Sequence, residues 1–309
     1  MLEGYLDITN RMGKDPSKKF SFTIVYFGRK SLFAFKNRLQ DLISFFGNLT
    51  NIEVIYVDAD RIELLDVSDL LEYSRIIIPN ENISIPKAIN TAVEVANSNL
   101  VFVISVNYRI TSLNLKDVKE FFSKEPSLIC MTPYFVYQGK KYANLVKFGI
   151  SNDKIEWMVV ESSKNPATLT PNEFIGIYNK NLFLSLGGYN TELTNALSEI
   201  EFGIRAWTSG CIMISNNQVM IDKLADIEEE VNVVLFDQSE PTFKYLLSKR
   251  PIVSIFGDLL KVPFYLLTFK LKKVSYIFSE IKNFLKNKNK VTFYAPDLEK
   301  ISSVISYLP

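Results

Sequence analysis

The 309-residue chain has no histidine and only two cysteines, and both shortages narrow its chemistry. Without histidine there is no Ser-His-Asp or Cys-His nucleophile pair, no imidazole general base and no histidine-bound metal. Carboxylates are left to do whatever acid, base or metal work the chain performs. Cys130 and Cys211 are too few to staple a secreted scaffold, and each lies in an apolar strand-like run, so buried reduced thiols in a reducing cytoplasm are expected. Excess charge is missing as well: 35 basic and 34 acidic residues leave +1, so no global field favours a nucleic-acid partner. Charges interrupt every apolar run before it reaches the ~18 to 20 residues of a spanning helix, and the polar leader 1–19 has no signal-peptide core. Neither GxGxxG nor GxxxxGK[ST] occurs, which argues against a dinucleotide-binding dehydrogenase and a P-loop nucleotidase.

What is present is a 47% hydrophobic content, ample for a large buried core. Residues 20–27 (FSFTIVYF) read as a buried strand, followed by Gly28-Arg29-Lys30-Ser31 as turn and candidate helix cap. Leu32, Phe35, Leu39, Leu42, Ile43 and Phe46 recur at helical spacing and Gly47 is placed to end that helix. Residues 52–57 (IEVIYV) form a second strand running into Asp58-Ala59-Asp60. Pro86 opens another helix with Ala88, Ala92 and Ala96 as a small-residue stripe, and 100–104 (LVFVI) is the next strand. Strand, helix, strand, helix, strand predicts a mostly parallel α/β sheet flanked by helices. Ligands of such sheets sit beyond the carboxyl ends of the strands, which directs attention to 28–31, 58–61 and 105–109. From about Met131 to Met220 the chain reads as more strand-rich: 174–178 (FIGIY), then 182–186, then Gly187-Gly188-Tyr189. A helix over 194–209 follows, with Gly210 at its end.

Over roughly 21–221 the order of these features resembles the family 2 glycosyltransferases, inverting nucleotide-sugar enzymes of the GT-A fold. Val57-Asp58-Ala59-Asp60 stands where that family holds the nucleotide base. Asn90-Thr91-Ala92 and the strand 100–104 lead to Ser105-Val106-Asn107 in the place of the DxD metal motif. Gly187-Gly188-Tyr189 and the segment from Ser198-Glu199-Ile200-Glu201 through Arg205 to Gly210 match its Gly-Gly-aromatic turn and acidic helix. The resemblance implies a hexosyl-type transferase that inverts, with Glu199 as general base. Tyr26, Asp58, Asp60, Asn90, Ser105 and Arg109 then belong to the nucleotide-sugar site, and Gly187, Gly188, Tyr189, Glu201 and Arg205 to the acceptor side. The family usually has Glu-Asp where this chain has Ser198-Glu199, and its Pro- and Asn-containing turn is here Tyr26-Phe27-Gly28-Arg29.

The metal motif departs most. Mg2+ and Mn2+ prefer anionic oxygen ligands, and Ser105-Val106-Asn107 supplies only a hydroxyl and an amide, so Asn107 is at best a weak ligand. Three readings stay open: a metal held by Asn107 with other ligands and the diphosphate, a metal-independent enzyme in which Arg109, Arg29 or Lys30 balances the charge, and a degenerate domain without activity.

Between Lys249 and Lys290 ten basic residues stand against two acidic ones, a segment charge of +8 that leaves −7 for the rest. Leu271, Val274, Ile277, Phe278, Ile281, Phe284 and Leu285 repeat at three- and four-residue intervals among lysines. This pattern describes an amphipathic helical extension lying on an anionic membrane surface. A helix packed on the catalytic domain and an RNA-binding tail are the alternatives, the latter disfavoured by the lack of aromatic stacking periodicity. The expected organisation is leader 1–19, GT-A domain 20–245 (nucleotide-binding half 20–130, acceptor half 131–221) and basic extension 246–309. The expected activity is transfer of a sugar from a nucleoside diphosphate sugar to a lipid-linked or surface-glycan acceptor, by a cytoplasmic protein on the inner membrane face. The rivals are a GT-A-like domain that binds glycan, nucleotide or a partner without turnover, and a nucleotidyltransferase. The latter needs a basic glycine-rich loop after the first strand, where only Gly28 stands.

Overall fold

A computed structural model describes residues 3–8, 20–47, 49–62, 70, 72–137, 140–149, 154–161, 166–193, 195–224 and 251–290. In chain order the elements are β1 (Tyr5–Ile8), β2 (Phe22–Gly28), α1 (Leu32–Phe46), β3 (Ile52–Asp58), β4 (Arg75–Pro79), α2 (Ile85–Val95), β5 (Leu100–Ser105), β6 (Tyr108–Leu113) and α3 (Leu115–Lys124). Then follow β7 (Leu128–Tyr137), β8 (Lys140–Gly149), β9 (Lys154–Glu161), β10 (Gly176–Asn179), α4 (Lys180–Ser185), α5 (Asn195–Thr208), β11 (Ile212–Lys223), α6 (Pro251–Leu259), α7 (Val262–Leu267) and α8 (Leu271–Asn287).

One sheet runs β1-β4-β3-β2-β5-β10-β7-β11-β6, with β8 and β9 continuing from β7. Strands β4, β3, β2 and β5 pair in parallel. Because β10 is antiparallel to both β5 and β7, and β11 is parallel to β7, these six strands of the nine-strand path share one direction. The α/β sheet is therefore mostly parallel, as expected from the alternation of elements. Its strands read as continuous apolar runs because both faces are covered. Alternate residues go to opposite layers: Val25 and Phe27 meet the core under α2 and α5, while Phe22, Ile24 and Tyr26 meet the core under α1 and α3. The first of these cores contains Ile55 and Ala92 together with Tyr178 and Trp207, so the two halves are built around one interior.

Several local readings hold. Gly47 closes α1 with its N–H on the Ile43 carbonyl, Pro86 stands in the first turn of α2, and both cysteines are buried and free. Others are corrected. Residues 5–8 of the leader form an edge strand, since Tyr5-Leu6-Asp7-Ile8 pairs antiparallel with β4 and Asp7 meets Arg75 at 2.6 Å. Residues 182–186 are largely helical, because Asn179 accepts the N–H groups of Asn181 and Leu182 and so starts α4. Residues 1–2 and 9–19 of the leader, 225–250 and 291–309 lie outside the described residues.

The amphipathic extension takes the form of α6, α7 and α8. Ile252, Val253, Phe256, Leu260, Leu267 and Phe269 are each more than 60% exposed. Ile277 is buried and Phe284 packs against the larger core, and beyond α8 the Lys290 carbonyl accepts from Asn190 Nδ2 at 2.8 Å. Among the described residues no helix is long and apolar enough to cross a membrane.

Candidate functional site

The carboxyl ends of β2, β3 and β5 are stitched side by side: Ala59 N–H donates to Gly28 O at 3.0 Å and Val106 N–H to Phe27 O at 3.1 Å. Asp58, at the tip of β3, is wholly buried. Its carboxylate accepts from the backbone N–H groups of Lys30 (3.0 Å), Ser31 (3.3 Å) and Asp60 (2.8 Å) and from the Tyr56 hydroxyl (2.5 Å). Four donors fill the acceptor capacity of a carboxylate. Asp58 thus holds the β2–α1 turn against β3, in a shape that puts Lys30 at φ 48°. Burial, followed by the charge of Asp58, pushes the Tyr56 phenol well up, so that it stays a donor. Ser31 leaves α1 without a side-chain cap, its hydroxyl lying 3.1 Å from the Tyr56 hydroxyl instead. Asp60 is anchored by one oxygen to Arg29 at 2.6 Å, and Arg29 also donates to Ile83 O. Tyr26 is not brought here; it lies in the interior with its ring 5.8 Å from Phe35.

On the β5–β6 turn Ser105 Oγ accepts Asn107 N–H at 3.3 Å, and Ser105 is buried while Asn107 is exposed. Arg109 pairs with Asp222 at 3.1 Å across the β6–β11 rung. A divalent cation at this turn would find neutral oxygens, one of them already bonded, with Asp58 saturated and Asp60 tied to Arg29. Among the described residues no group of three acidic or cysteine side chains is placed to hold a metal. The residues present do not fit a resident Mg2+ or Mn2+.

The Gly-Gly-Tyr turn is held from two sides. Asn90, on α2, donates through Nδ2 to Tyr189 O (2.8 Å) and accepts Tyr189 N–H (2.9 Å). On α5, Arg205 meets both oxygens of Glu201 (2.9 and 2.8 Å) and also donates to Gly188 O at 2.8 Å and to Leu186 O. Gly188 has φ 67°, and a Cβ there would fall 2.7 Å from Asn90 Oδ1. Asn90, Gly188, Tyr189, Glu201 and Arg205 therefore belong to one network, although Asn90 was expected on the donor side and the others on the acceptor side. Gly187 lies in the same turn.

Glu199, two residues before Glu201 on α5, is 4% exposed and accepts the N–H of Phe174, while Thr170 Oγ1 donates to its backbone carbonyl at 2.7 Å. Thr170 and Phe174 belong to the loop before β10, where Glu173 (φ 50°) and Phe174 (φ 61°) are left-handed in succession. The Phe174 ring meets Phe27 edge-on at 6.4 Å and Tyr189 at 4.8 Å. Phe174 thereby links Glu199, through its backbone N–H, to Phe27 of β2, through its ring. Tyr108 fastens the same loop by donating to Glu173 at 2.9 Å; burial and then the Glu173 charge push its phenol well up. Nothing in the motif pattern marks this loop. Tyr56 was legible in principle, since two residues before Asp58 on a strand is the same face.

No protein-family model matches the chain, and no curated protein matches it in sequence. Solved structures do match in three dimensions. GalNAc-T7 with UDP, GalNAc and Mn2+ superposes over 95% of this chain and 59% of its own, with a TM-score of 0.60 and 13% identity. Staphylococcus aureus TarS (1–349) with UDP-GlcNAc superposes over 76% of this chain and 66% of its own, with a TM-score of 0.50 and 16% identity. The chain thus spans less than two thirds of either structure. Its fold is the GT-A fold of these glycosyltransferases.

Proposed function

We propose that the chain is an inverting, family 2-type glycosyltransferase that moves a hexosyl group from a nucleoside diphosphate sugar to a lipid-linked or surface-glycan acceptor. The observation that carries this reading is Glu199, a carboxylate at 4% exposure, fixed by the N–H of Phe174, a residue whose ring meets Phe27 of β2. In the proposed reaction Glu199 takes the proton of the acceptor hydroxyl as that oxygen attacks the anomeric carbon. The bond to the diphosphate breaks on the opposite face, which inverts the configuration. The two structural neighbours were solved with UDP-GlcNAc and with UDP and GalNAc, which makes a UDP-sugar the first donor to try.

The test is transfer across a panel of nucleotide sugars by wild type and Glu199→Gln. Loss of about 10²-fold or more in turnover, with UDP binding kept, is expected; unchanged transfer removes Glu199 from the base role. A binding domain without turnover is the second reading, favoured by the saturation of Asp58 and the neutral Ser105–Asn107 turn. Nucleotide binding with no transfer from any donor would support it.

Residues 249–290 are proposed to attach the protein to the inner, cytoplasmic face of an anionic membrane. The exposed apolar side chains of α6 and α7 beside lysines support this. Co-sedimentation with phosphatidylserine vesicles should occur at low salt, weaken at high salt and vanish on truncation after Tyr245. Equal sedimentation of the truncated chain overturns the attachment.

A further inference from the structure

A transferase of this kind must neutralise the diphosphate that leaves, and the turn expected to do so through a metal holds only a bonded serine hydroxyl and an asparagine amide. The charge has to come from elsewhere on the same rim. Four cationic side chains lie on the segments after β2, β3 and β5. Arg29 is engaged by Asp60 and Arg109 by Asp222. Arg61 is exposed, and its backbone is tied to Asn82, outward along the β3 segment. Lys30 is exposed and in no ion pair among the described residues, on the turn whose neighbour across Phe27 O–Val106 N–H is the Ser105–Asn107 turn.

The backbone at Lys30 is also informative. Its φ of 48° is a conformation that glycine or asparagine adopts at less cost, and it is imposed by the Lys30 and Ser31 N–H bonds to Asp58. A lysine placed where sterics favour a smaller residue is explained if its ammonium is used.

We propose that Lys30 takes the place of the divalent cation: its ammonium binds the donor diphosphate and the oxygen that departs with it, and donor binding needs no metal. The inference rests on the transferase reading and deepens it. Asp58 serves as the positioning residue that fixes the turn from which Lys30 projects.

The test is titration of the full chain with UDP and with uridine, in EDTA and in Mn2+, for wild type, K30M, K30G and K30R. Expected are UDP binding that is the same in EDTA and Mn2+, a loss of about tenfold or more for UDP in K30M and K30G with uridine unchanged, and retention in K30R. K30G, free of the steric conflict, should melt no lower than wild type while losing the same affinity, which separates ligand binding from folding. Unchanged UDP affinity in K30M and K30G, an equal loss for uridine, or UDP binding that requires Mn2+ each overturns the proposal and leaves the transferase reading standing. Failure of wild type to bind UDP, ADP, GDP, CDP or dTDP overturns both.

Discussion

Glu201 is 1% exposed and would be an expensive charge to bury alone, so its two contacts with Arg205 decide the local energetics. Arg205 spends its remaining donors on the carbonyls of Leu186 and Gly188, which turns an ion pair into a clamp on the Gly-Gly turn. Glu201→Gln should cost about 3 kcal/mol by urea denaturation, because it leaves a guanidinium that is only 21% exposed without its counter-charge. Combined with Arg205→Met the loss should fall short of the sum of the two, the signature of a coupled pair; strict additivity would mean the pair does not act as one. Gly188→Ala meets both a left-handed φ and the Asn90 amide at 2.7 Å, so about 2 to 4 kcal/mol is expected. Asn90→Ala in the same chain should recover part of it. Sequence order pointed to each of these residues but not to their contacts: Asn90 and Arg205 bond the backbone of the Gly-Gly-Tyr turn, and Glu201 pairs with Arg205.

At the scale of elements, α5 is buried nearly all round, which its sequence concealed. The stripe of Leu197, Ile200, Ile204 and Trp207 suggested one apolar face, yet Glu199, Glu201 and Gly203 are interior too. Gly203 looks like a flaw in a helix and is instead the point where the Leu169–Thr170 backbone passes; a Cβ there would lie 2.8 Å from that of Thr170 and would also strike the Leu169 carbonyl. Gly203→Ala is expected to cost at least about 2 kcal/mol and to loosen the loop that holds Glu199, read as a drop in the urea midpoint; a neutral or stabilising effect, the usual result in an exposed helix, refutes the close approach. The strands that were legible, β2, β3 and β5, are those whose apolar runs are continuous. Strand β4 was overlooked although Ile76-Ile77-Ile78 is as apolar, because it is short and bounded by Arg75 and Pro79. Strands β6, β8 and β9 carry mixed patterns whose pairing is set by partners far away in the chain.

For the molecule as a whole, the buried phenols set an alkaline limit. Burial pushes the Tyr26, Tyr108, Tyr178 and Tyr189 phenols above their ordinary 10.0, and nearby carboxylates add to it for Tyr108 and Tyr189. Each group is neutral in the folded state at a pH where the unfolded chain releases its proton. The stability these phenols contribute is therefore complete below pH 10 and declines as pH rises beyond it, by up to about 1.4 kcal/mol per unit for each group. Unfolding free energies measured from pH 8 to 11 should be level at first and then fall; a profile flat to pH 11 contradicts the burial. The GT-A architecture was legible because it depends on the order of strands and on the Gly-Gly and acidic-helix motifs. The cation proposed to meet a diphosphate was legible only as one of Arg109, Arg29 and Lys30, since which of the three is already paired is decided by the fold. The edge strand β1 has a consequence for biosynthesis: Tyr5–Ile8 is made about seventy residues ahead of Arg75–Pro79, the strand it must cover. Until the two meet, the Ile76-Ile77-Ile78 edge of the nascent sheet is an open template for strands of other chains. A tag or truncation that keeps residues 5–8 from docking should therefore reduce soluble yield at the ribosome before it alters any property of the finished protein.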